Sequence, residues 1–160
     1  SKLVKNVPSK NLSWKSCQTL YFTANKRVIE KPMIGLVSRE DSLINNIFYH
    51  TSVATHSNNT EELLSVTVVK EHQLSEEQLI ATVTKQLKEE CHIDTITFLE
   101  IYNIKRALPD LKDIKYEVTP SETQLSSGIF LAGDVQLNGS LNAAMIAGEK
   151  AALQVIASLK

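Results

Sequence analysis

The stretch 128–152, GIFLAGDVQLNGSLNAAMIAGEKAA, limits the fold more than any other part of the chain. It opens with a short apolar run, Gly128 to Gly133, closed by glycine at both ends. Such a run suits a strand buried on both faces, as in a parallel sheet. Asp134 stands at its carboxyl end. Gly139-Ser140-Leu141-Asn142 then opens a helix predicted to reach about Ser158. Ala143, Ala144, Ala147, Gly148, Ala151 and Ala152 recur along that helix at helical spacing. A glycine inside a helix costs roughly 1 kcal/mol relative to alanine. Close packing of the helix against a sheet or another backbone offsets that cost.

Strand followed by short loop and helix is also an arrangement for ligands. In α/β sheets they bind outside the carboxyl ends of strands, near helix N-termini. Unpaired N–H groups there favour anions and acceptor oxygens. Gly139 would let a ligand approach the backbone closely. The Asp134 carboxylate could accept hydrogen bonds from sugar-like hydroxyls. Its competing reading is a helix cap or turn aspartate.

Upstream, the first fifteen residues are polar and irregular and read as an entry segment. Cys17–Ala24 is rich in β-favouring residues and predicts a strand. Met33–Val37, Leu43–Tyr49 and Leu63–Val69 predict three more, with Val53-Ala54 and a polar turn over Ser57–Thr60 between the last two. Ser75 with Gln78 is a capping-box pattern. Leu79, Ile80, Val83 and Leu87 follow at helical spacing, so a surface helix packed by one side is expected. Ile93–Tyr102 returns to strand, and Ala107-Leu108-Pro109 should end it, because proline cannot continue a ladder. Ile114–Val118 is a further short strand candidate. The expected class is α+β: a mixed, mainly antiparallel sheet with a surface helix, ending in a buried strand and a small-residue helix.

FLAGD, a short loop and GSLNAAMIAGEKAA together resemble the C-terminal flavin-binding motif of the amine oxidase and phytoene desaturase superfamily. The resemblance implies that Asp134 contacts the ribityl and pyrophosphate region of FAD. It implies that Ser140, Leu141 and Asn142 present backbone donors to the pyrimidine edge of the flavin, with Gly133 and Gly139 allowing the approach. The family's substrate region is more weakly resembled by Trp14 to Phe22, Leu43 to Asn46 and IKRALP, 104–109. On this reading 1–15 is an entry segment, 16–119 a substrate-domain-like region and 120–160 the FAD-contacting strand, loop and helix. The small-residue helix would belong to the FAD-binding domain. The family's GxGxxG fingerprint cannot be drawn from Gly35, Gly128, Gly133, Gly139 and Gly148. The expectation is therefore a fragment that lacks its N-terminal dinucleotide-binding half, its missing partner. FAD and a small-molecule substrate (amine, porphyrinogen or polyene) are expected in the intact parent, FAD not on the fragment alone. The competing reading is a stand-alone, non-catalytic α+β interaction module that has lost its cofactor.

Other chemistry finds less support. The 17 basic and 18 acidic residues balance to a net charge of −1, which gives no footprint for nucleic acid. Cys17 and Cys91 are too few for a disulfide framework, and a reducing, cytoplasmic setting is the expectation. His50, His56, His72 and His92 lack metal-ligand spacing, so no metal is expected. Arg106 reads as a loop arginine or a substrate contact. Tyr49 and Tyr102 read as sheet-core or cavity-lining residues. No catalytic residue is assigned. The last strand and helix should leave apolar surface that favours self-association.

Overall fold

The computed structural model describes residues 13–53 and 60–159. Ala54, His56 and the turn residues 57–59 lie outside them, as do the first twelve residues of the entry segment. The chain divides into two units. One is Ser16–Lys105; the described residues of the other are 13–15 and 106–159.

Alternation builds the larger sheet. In β1 (Ser13–Ala24), Leu20, Phe22 and Ala24 are buried, while Tyr21 and Thr23 between them point to the other face and are half-buried. β2 (Gly35–Leu36), β3 (Ile44–Tyr49), β4 (Glu62–Val68) and β5 (Ile96–Asp110) complete it, in the order β2-β3-β4-β1-β5. β4 pairs antiparallel with both β1 and β3. β5 also runs antiparallel to β1: Asn25 N–H donates to Thr95 O, Gln18 bonds Asn103, and Ser13 bonds Asp110.

α1 (Glu76–Cys91) covers one face of this sheet. Its capping box is formed as expected: Ser75 Oγ accepts from Gln78 N–H, and the Gln78 side chain accepts from Ser75 N–H at 2.9 Å. Leu79, Val83 and Leu87 are buried against Leu20, Phe22, Leu64 and Val66, and Ile80 packs beside them. Each fully buried side chain of this kind stabilises by about 1.5–3 kcal/mol. The helix ends at His92, which takes the left-handed conformation at φ 58.

In the second unit, β6 (Gln124–Ser126) and β7 (Ile129–Phe130) form a two-stranded hairpin, and α2 (Leu141–Ser158) closes the chain. A small core gathers Val118, Leu137 and Ala143, with Ile146 packed on it. The class is α+β with a mainly antiparallel sheet and two helices, as the sequence predicts. Among the described residues no helix is long and apolar enough to cross a membrane.

Three local expectations are corrected. The run Gly128–Gly133 supplies only two strand residues, both half-buried. Gly128 at φ 75 turns the chain, and the only pairing among the described residues is to β6, so the strand is not buried on two faces. β5 runs past Tyr102 and takes in Pro109, ending one residue beyond it at Asp110. β5 is an edge strand, where a missing N–H interrupts no ladder. Ile114–Val118 forms no strand; Lys115 N–H donates to Leu137 O instead, and Val118 is spent in the small core.

Candidate functional site

The residues singled out in the sequence lie in one loop and helix start. Gly133 has φ 132 and ψ 161, a region that essentially only glycine adopts. It leads into a 3-10 turn over Asp134–Gln136. The Asp134 main-chain oxygen accepts from Leu137 N–H at 3.0 Å and from Gly139 N–H at 3.2 Å, which folds 134–139 back on itself. Gly139 has φ 68, and a Cβ there would lie 3.2 Å from both Leu108 Cδ1 and Pro109 Cγ. Glycine is required by conformation and by space.

Ser140 is the N-cap of α2. Its hydroxyl accepts from Ala143 N–H at 3.1 Å and donates to Asn138 Oδ1 at 2.6 Å. Its main-chain oxygen accepts from Ala144 N–H at 3.0 Å. The cap role for Ser140 leaves the half-buried Asp134 carboxylate without a capping task, and no partner engages it among the described residues. Leu141 and Asn142 carry the first two N–H groups of α2, and neither finds an acceptor among those residues. The Leu141 side chain is 78% exposed, so only its backbone is a credible contact. A cavity of about 540 Å³ opens at this helix start, lined by Ser140, Asn142, Asn138, Tyr116 and Ile146. One short loop thus brings together uncommitted N–H donors, a left-handed glycine and an unengaged carboxylate, an arrangement that can meet both acceptor and hydroxyl groups of a ligand.

The sequence reading missed a second constellation, on the sheet face opposite α1. The register places Ser65 of β4 between Tyr21 of β1 and Phe48 of β3. His50 sits over this row. Its ring lies 5.7 Å from Tyr21 and 5.0 Å from Phe48, and Nε2 is 3.0 Å from Ser65 Oγ. Tyr102 of β5 packs edge-on against Tyr21 at 5.8 Å. The signal was present as period-2 alternation, but only the register reveals which polar-face residues meet. Tyr102 belongs to this aromatic face and is 56% exposed. Tyr49 does not: it is buried in the core, and burial pushes its phenol up. Arg106 is exposed on β5.

No protein-family model matches the chain, and no curated protein matches it significantly. Solved structures do match. A crystal structure described as a putative protoporphyrinogen oxidase from Exiguobacterium sp. 255-15 superposes with a TM-score of 0.61 at 18% identity, over 99% of this chain and 39% of its own. An oxidoreductase from Methanosarcina mazei gives 0.56 at 15% identity, over 90% and 35%. The fold is shared. This chain spans under two fifths of the length of either structure. At such identities the likeness concerns backbone architecture alone.

Proposed function

We propose that this chain supplies flavin contacts and a substrate-facing sheet to an FAD-dependent oxidoreductase of the amine oxidase and phytoene desaturase type. The observation that carries the proposal is the α2 start, where two uncommitted N–H groups, left-handed Gly139 and the unengaged Asp134 carboxylate stand in one short loop. The match to two oxidoreductase folds supports it. The pyrophosphate-cradling GxGxxG is absent from these 160 residues, so the proposal assigns it to residues outside them.

The bound FAD would accept a hydride from an organic substrate of amine, porphyrinogen or polyene type. The chain's own residues orient and polarise. Asp134 accepts hydrogen bonds from ribityl or ribose hydroxyls. The Leu141 and Asn142 N–H groups, at the positive end of α2, stabilise negative charge on the reduced ring. Gly133 and Gly139 keep side chains out of the approach. Tyr21, Phe48, His50 and Tyr102 offer an aromatic surface to an apolar substrate.

The test compares the full-length protein with its Asp134→Ala variant. Flavin retention is read by fluorescence after dialysis. The expected result is a wild-type protein that holds FAD and a variant whose Kd rises at least about tenfold, the 1.4 kcal/mol scale of one charge-assisted hydrogen bond. Unchanged retention in the variant, or a full-length protein with no affinity for FAD, would sink the proposal. The 160 residues alone should purify without yellow colour.

A further inference from the structure

A second cleft, of about 290 Å³, lies where β2 and β3 meet the last turn of α1. Val28, Ile29, Val37 and Ile47 give it apolar walls. Arg39, Glu90 and Cys91 bring the polar atoms. All of these residues belong to the unit Ser16–Lys105.

Glu90 is the informative member. Its side chain is 8% exposed. Its Oε2 is fully buried and has no hydrogen-bond partner among the described residues. Arg39 does not satisfy it. The Arg39 Nε is 4.0 Å from Glu90 Oε1, outside hydrogen-bonding range, and its fork is committed to Asp41 at 3.1 and 2.9 Å. A buried carboxylate oxygen without a donor is costly to keep, and such groups in native proteins are normally paired. Here the cost is carried at the wall of a cleft large enough for a small molecule.

Two other charged groups near Arg39 and Asp41 are already occupied by described residues. Lys70 Nζ donates to the main-chain oxygens of Glu40 and Ser42. Glu89 pairs with Lys85 at 3.9 Å. The unmet demand is for an N–H donor, with positive charge favoured by the carboxylate, and for an apolar body to fill the walls. We infer that this cleft binds a small organic ammonium, its N–H directed at Glu90 and its apolar part against Val28, Ile29, Val37 and Ile47. The site is separate from the α2 loop and stands whether or not this chain contacts flavin.

The test uses benzylamine, benzyl alcohol and benzoate on the 160-residue chain at neutral pH, followed by calorimetry. Benzylamine should bind saturably, and benzyl alcohol and benzoate at least tenfold more weakly. Glu90→Gln should remove that preference. Cys91 supplies an independent readout, because it lines the cleft while Cys17 does not. Benzylamine should slow iodoacetamide modification of Cys91 and leave Cys17 unaffected, as followed by peptide mass spectrometry. This readout and the ligand series need no variant, so a Glu90→Gln chain that fails to fold does not rescue the idea. No saturable benzylamine binding, equal binding of benzyl alcohol, or no selective protection of Cys91 would each overturn it.

Discussion

Gly139→Ala tests the loop on which the proposed function depends. At φ 68 an alanine pays the left-handed backbone penalty, about 1–2 kcal/mol. Its Cβ would also sit 3.2 Å from Leu108 Cδ1 and from Pro109 Cγ. The leucine methyl can rotate away. The Pro109 ring is buried and cannot, so a further cost of about 1 kcal/mol is expected from overpacking. The variant's less flexible unfolded chain works in the opposite direction, returning about 0.5 kcal/mol to the variant. The sum is a destabilisation of about 2 kcal/mol in the unit that holds α2. Urea unfolding followed by far-UV circular dichroism measures it, and amide exchange along α2 locates it. Gly139→Asn separates the two causes, because asparagine tolerates the left-handed region but keeps the Cβ contact. It should recover roughly half of the loss, about 1 kcal/mol. An alanine variant within about 0.5 kcal/mol of the wild type, the ordinary range for neutral surface changes, would refute both the conformation and the packing argument.

Two further predictions concern stability, and one concerns association. His92→Gly, at φ 58 after α1, should stabilise the chain by up to about 1 kcal/mol in urea, since glycine takes the left-handed cap without strain. Glu122 is held below the usual carboxylate range by Thr119 N–H at 2.7 Å and then by the Thr119 hydroxyl at 2.8 Å. A depressed folded value means the contribution is present above the unfolded value, about 4.3, and lost as pH falls through the folded one. Glu122→Gln should therefore flatten the acid limb of stability against pH below about 4.3, and an unchanged limb would count against the contact. α2 buries only Ala143, Ala147 and Ala151 and leaves Met145 66% and Ile156 56% exposed. Self-association in sedimentation should rise with concentration and be relieved by Met145→Glu with Ile156→Glu; a clean monomer at high concentration would argue otherwise.

The elements legible in the sequence are those whose signal is local. The Ser75–Gln78 box, the Leu79, Val83 and Leu87 stripe and the helix start at Ser140 each depend on residues within one or two turns, and each forms as expected. What was misread depends on neighbours far along the chain. Whether β5 can run on past Tyr102 and take in Pro109 turns on its being an edge strand, which the local sequence does not encode. Whether Gly128–Gly133 is buried turns on how many strands flank it. The aromatic face was hidden for the same reason: Tyr21, Phe48, His50 and Ser65 meet only through the register of three strands. The burial of Glu90 is non-local in the same way: its placement beside β2 and β3 leaves its carboxylate an unpaired acceptor among the described residues.

α2 inverts the usual surface-helix pattern. An ordinary surface helix turns its large apolar residues inward; this one fully buries only alanines, half-buries Ile146 and turns Leu141, Met145, Leu153 and Ile156 outward. The small inward residues bury little apolar area, and the close packing expected at Gly148 is not formed: a Cβ there would meet nothing within 4 Å among the described residues. Stability from that face is correspondingly modest, so the exposed Leu141, Met145, Leu153 and Ile156 are the residues with most to gain from a second surface. A flavin at the start of α2 would account for Leu141 and Asn142 through their backbones alone. It would not account for Met145 and Ile156, which lie one and four turns further along. The proposed function therefore requires protein, as well as cofactor, against the outer side of this helix. If the full-length protein binds FAD yet leaves Met145 as open to oxidation by peroxide as the isolated chain does, the flavin contacts could stand, but the placement of α2 within a larger flavin domain would fail.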